Sequence, residues 1–121
     1  MPESTAALPC PELLVACLCA EWCGSCREYH EVFEAARAAT PGAHFAWVDI
    51  EDHPDVLGPV DVENFPSLLI ARGDDIAFFG PVTPHASTLN ALVARATRGE
   101  LGSVDDPELE GVPGRIRVLA T

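Results

Sequence analysis

The chain has no lysine: its seven basic residues are all arginines, set against 19 aspartates and glutamates, for a net charge of −12. A surface that neutralises phosphates is therefore not expected, so nucleic acid and anionic membranes are set aside as partners. A partner drawn in by charge would be basic, although net negative charge also serves plain solubility. No apolar run approaches the roughly 20 residues that span a bilayer as a helix. Residues 13–20 are apolar and end in alanine, as a leader peptide can, but no basic residue precedes Arg27. The expectation is therefore a cytoplasmic protein without a secretory signal. Cysteine is absent after Cys26: all five, Cys10, Cys17, Cys19, Cys23 and Cys26, fall in the first quarter of the chain. An odd, clustered set cannot staple distant segments, so it points to thiol chemistry rather than a disulfide framework.

What is present suits one domain. The 121 residues are 48% hydrophobic, enough for a sizeable core and too apolar for a disordered chain. Residues 12–19 (ELLVACLC) form an apolar run of strand length, the pattern of a strand covered on both faces. From residue 24 to 39 the period turns helical, with Tyr29, Phe33 and Ala36, flanked by Val32 and Ala39, on one stripe. Thr40-Pro41-Gly42 ends that helix. Residues 44–49 read as a second strand and 54–58 as a short helix or turn. Residues 67–72 and 76–79 flank Gly73-Asp74-Asp75 as a hairpin, and 84–97 form a last helix with Leu89, Leu92, Val93 and Ala96 inward. This alternation predicts an α/β fold, a mixed sheet flanked by helices. The expected division is an extension over 1–11, a domain over 12–98 and an acidic tail over 99–121. Within that tail, 115–120 (RIRVLA) has the period of two of a strand with one buried face. Such a strand could cover an open edge beside 12–19, in its own chain or in a swapped dimer.

The chemistry concentrates in Trp22-Cys23-Gly24-Ser25-Cys26. Two thiols three residues apart at a helix start can close a small disulfide ring. The unpaired amides and the dipole there favour a thiolate on the first. Cys23 is then the exposed nucleophile, and Cys26, deeper on the Tyr29/Phe33 side, the shielded thiol that resolves a mixed disulfide. The same spacing is half of a zinc site, and Cys17 and Cys19, which share one face of the strand, could approach Cys26. An inert structural disulfide is the third reading. Taken singly, Cys17 and Cys19 read as small core residues, Cys10 as an incidental thiol and His30 as a partly exposed surface residue.

The segments ELLVACLCAEWCGSCREYHEVFEAA, FAWVDIEDHPDV and FPSLLIARGDDIAFFG, in that order, resemble the thioredoxin family over residues 12–97. The resemblance implies a thioredoxin-like fold, thiol–disulfide exchange through Cys23 and Cys26, and a cis peptide before Pro66 lying beside a Cys23–Cys26 disulfide. Trp22, Phe65 and Pro66 would form the ledge on which a substrate peptide lies, with Asp61 and Glu63 on its rim. There are departures. Cys17 stands where the family has a buried aspartate, Trp47 where it has a nearby lysine, Ser25 and Glu31 where it commonly has prolines. The family's amino-terminal strand and helix have no counterpart, and the C-terminal segment is a candidate to replace part of them. The function expected is exchange of a Cys23–Cys26 dithiol with protein disulfides, recharged by an unidentified reductase, without cofactor or metal, in a monomer or weak dimer. The alternatives are an assembly factor or chaperone-type binding module with little turnover, and a metal carrier.

Overall fold

The structure, a computed structural model, describes residues 13–20, 24–53, 56, 66–73 and 75–119. Strand β1 (Leu13–Cys19) is buried along its whole length, as an unbroken apolar run requires. It pairs in parallel with β2 (His44–Asp49) and antiparallel with β3 (Ser67–Arg72), which pairs antiparallel with β4 (Asp75–Pro81). The sheet order is β2-β1-β3-β4. Helix α1 (Gly24–Ala39) follows β1 and helix α2 (Ala86–Thr97) follows β4. Among the described residues the fold is thus a mixed four-stranded sheet flanked by helices.

Alternation along β1 divides the core into two layers. Leu13, Val15, Cys17 and Cys19 face Cys26, Tyr29, Phe33 and Ala36 of α1 and Leu89, Val93 and Ala96 of α2. Leu14, Ala16 and Leu18 face the other way, toward Leu109, Val112 and Ile116. The expected stripe of α1 holds at Tyr29, Phe33 and Ala36, but Ala39 is exposed where the helix runs out past the sheet. In the hairpin, Gly73 takes φ +63°, a left-handed turn conformation that favours glycine.

Two expectations for the C-terminal segment are corrected. Residues 115–120 do not form a strand: Val112–Leu119 is helix α3, preceded by a 3₁₀ turn at Pro107–Leu109. Asp106 caps that turn by accepting the Glu108 N–H at 3.0 Å. The period of two was misleading because three apolar residues at 109, 112 and 116 also match a helical face, and that face is the one buried. Val118, which a strand would turn inward with Ile116, is 76% exposed. Nor is β1 an open edge. It is hydrogen-bonded on both sides, so burial of its faces and pairing of its edges are satisfied by separate neighbours. The segment covers a sheet face instead, and Arg115 ties it down by donating from Nε to the Val56 carbonyl at 2.7 Å. The expected turn at 54–58 lies outside the described residues except for Val56, and the extension over 1–11 lies wholly outside them.

His44 at the start of β2 reports on this packing. Burial first, then the positive charges of Arg117 and Arg37, hold its imidazole below the ordinary value of 6.5. As pH falls below about 6.5 the unfolded chain gains a proton that the folded chain resists, so stability should fall through that window and level off below the folded value. His44→Asn should remove this component. The check is the difference between the two proteins' unfolding free energies across pH 4–8, in which the titrations common to both cancel.

Candidate active site

The site is built where β1 ends and α1 begins. Cys26 lies in the first turn of α1 and is 2% exposed; Cys19, the last residue of β1, is 1% exposed. The two are joined in a disulfide, with Cα atoms 5.9 Å apart, inside the ordinary span for such bonds. They meet because odd-numbered residues of β1 face α1, and the tip of the strand stands level with the helix's first turn. Cys17, one step back on the same face, places its Sγ 3.5 Å from that of Cys19. Cys19 carries no hydrogen in the disulfide, so the Cys17 thiol is the donor.

Below this stack the floor is apolar. Burial pushes the Cys17 thiol far above its ordinary range, so it stays protonated. The Tyr29 hydroxyl is buried with no hydrogen-bond partner among the described residues. Its acidity is suppressed by burial first and by the Cys17 site second. Cys17 pairs across the sheet with Trp47, which sets an aromatic ring beside it. Above the disulfide opens a groove of about 560 Å³, lined by Cys19, Cys26, Arg27, His30, Trp47, Asp49 and Asp52. His30 packs edge-on to Trp47 at 4.9 Å between centroids, and Phe33 meets the same indole at 5.7 Å. Trp47 therefore forms the groove wall, held from beneath by α1.

Of the residues expected to act, Cys26 and Pro66 are described; Cys23, Trp22, Phe65, Asp61 and Glu63 lie outside the described residues, as do Cys10 and the Phe65–Pro66 peptide. Pro66 is buried at the foot of β3, and its carbonyl accepts the Val82 N–H at 3.0 Å. The β1–β3 register ends at Leu18 opposite Ser67, the residue after Pro66. His30 is partly exposed, as expected. Sequence reasoning read Cys19 as a core residue. It is buried, and the disulfide of Cys26 is made with it rather than with Cys23, the partner that the resemblance implies; the sequence signal for that approach is the strand face Cys19 shares with Cys17. Among the described residues, no three His, Cys, Asp or Glu side chains are arranged as a metal's ligands.

Comparison with known proteins matches residues 9–94 to the family profile described as Thioredoxin. A curated, thioredoxin-named protein of Streptomyces coelicolor is 29% identical over 85 residues, spanning 70% of this chain. The match covers 63% of that relative's length. Among solved structures, thioredoxin from Trypanosoma brucei brucei superposes with a TM-score of 0.65 at 22% identity, covering 74% of this chain and 78% of that one. Fasciola hepatica thioredoxin does so with 0.64 at 22% identity, over 71% and 82%. At these identities the structural likeness speaks to the fold.

Proposed function

This chain belongs to the thioredoxin family, and from that premise we propose that it exchanges a Cys23–Cys26 dithiol with the disulfides of protein substrates. The observation that carries the reading is the placement of Cys26: a shielded sulfur in the first turn of α1, able to form a disulfide, as its bond to Cys19 shows, beside an open groove and three residues after a second cysteine. In the reaction, the Cys23 thiolate attacks one sulfur of the substrate disulfide and expels the other as a thiolate. The Cys26 thiolate then attacks the Cys23 sulfur, releasing the reduced substrate and closing the Cys23–Cys26 bond. A reductase returns two electrons and two protons, and the chain needs no cofactor of its own. The ledge on which an extended peptide would lie is assigned to Trp22, Phe65 and Pro66. The setting proposed is the cytoplasm, where thiols are kept reduced, with the protein acting as a monomer or weak dimer.

A second reading, a binding module with little turnover, is favoured by Cys17: a thiol held protonated is a poor proton acceptor for Cys26. Insulin reduction with dithiothreitol as electron source separates the two. The exchange reading expects many turnovers per molecule of protein. Reduction that stops at one equivalent would overturn it in favour of the binding module.

A further inference from the structure

We infer that Cys19 is a third working thiol of this site, competing with Cys23 for Cys26, so that the oxidised protein carries its disulfide either at Cys23–Cys26 or, buried, at Cys19–Cys26. The inference deepens the proposed exchange reaction and rests on Cys23 being its nucleophile. Cys26 has two partners within reach by independent routes. Cys23 is three residues away in sequence, and Cys19 is presented by the tip of β1, already bonded to it. Both ends of the Cys19–Cys26 bond are buried, which keeps outside thiols from attacking it.

The two disulfides interconvert without gain or loss of electrons. Cys19, which borders the groove as Cys17 does not, gives up its proton to water there, and its thiolate attacks the Cys26 sulfur. The Cys19–Cys26 bond forms as the Cys23–Cys26 bond breaks, and Cys23 leaves as a thiolate that can take up a proton. A thiolate at a helix start is stabilised by the free amides there, which makes Cys23 a good leaving group. The Cys17 thiol, hydrogen-bonded to Cys19, stabilises the attacking sulfur without competing with it, because burial keeps Cys17 protonated. The result is a parked oxidised form. The disulfide is stored in the core, and Cys23 is left as a thiol whose mixed disulfides Cys26 cannot resolve until Cys19 releases it.

Cleavage after glutamate tests this directly, because Glu21 separates residues 13–21, carrying Cys17 and Cys19, from residues 22–28, carrying Cys23 and Cys26. The full chain is oxidised with diamide, which takes up two electrons and two protons per disulfide formed, quenched in acid, alkylated, cleaved without reduction and mapped by mass spectrometry. The expected result is a population in which the two peptides are linked through Cys19 and Cys26 with the alkyl label on Cys23. Re-reduction of that protein by dithiothreitol should be biphasic, with a slow phase about ten-fold slower or more, since a buried disulfide is attacked less readily. Cys19→Ser should abolish both the linked peptides and the slow phase, and Cys19→Ala provides the same readout should the serine disturb folding. A wild-type map showing only the disulfide internal to 22–28, with single-phase re-reduction, would overturn the inference, as would linkage of Cys19 to Cys23. Linked peptides together with no insulin turnover would uphold the pairing and defeat only the protein-disulfide reading.

Discussion

Cys23→Ser is expected to abolish disulfide reduction, while Cys26→Ser should accumulate mixed disulfides with substrate. The asymmetry follows from placement. The assignment proposed for Cys23 draws on the lowered pKa of thiols at helix starts, and a sulfur on the buried side of the first turn can act only on a bond delivered to it. Cys26 is buried and bonded within the core, so its role is to accept an internal attack or make one. Limiting iodoacetamide on the reduced protein at neutral pH should label Cys23 before any other cysteine. Faster labelling of Cys26 or Cys10 would reverse the assignment. The Cys26→Ser variant has a further expected signature: with its bonded partner gone, Cys19 is left as a second buried thiol beside Cys17, and no disulfide should link residues 13–21 to 22–28.

Removing helix α3 should cost the domain its fold. Leu109, Val112 and Ile116 are fully buried against Leu14, Ala16 and Leu18 of the central strand. Burial of each such side chain contributes about 1.5–3 kcal/mol, and three together rival the roughly 5–15 kcal/mol by which small domains are stable. Deletion of residues 100–121 should therefore leave a chain without a cooperative thermal transition. Point substitutions give the finer test. Ile116→Ala should lower stability by about 2–5 kcal/mol, whereas Val118→Ala, at an exposed position, should change it by no more than about 0.5 kcal/mol. A strand over the same residues would turn both side chains inward, so equal losses at the two positions would overturn the helix. The measurement is urea unfolding at constant pH, which reads both variants on one scale.

Local periodicity was enough to locate β1, α1, β2, the β3–β4 hairpin and α2 to within a few residues, because each carries a pattern of its own: a continuous apolar run, a stripe every three to four residues, or a turn glycine between two short strands. Residue type and spacing singled out the cysteine cluster, and the quoted segments in their order carried the resemblance to the thioredoxin family. What the chain's sequence left undecided was everything settled between elements. Ile116 fits two periods, a strand's with Val118 and a helix's with Leu109 and Val112, and only the sheet face that this segment covers selected the helical one, because a face needs an apolar stripe where an edge needs a strand. The pairing of Cys26 likewise depended on a non-local fact. Cys19 and Cys17 share the parity that faces α1, but only the register of β1 between β2 and β3 brings the strand's last residue level with the helix's first turn. Thiol chemistry was therefore written in residue type and spacing, and the choice of partner in the packing of a strand tip against a helix start, since a disulfide forms only where two Cβ atoms are held a few ångströms apart.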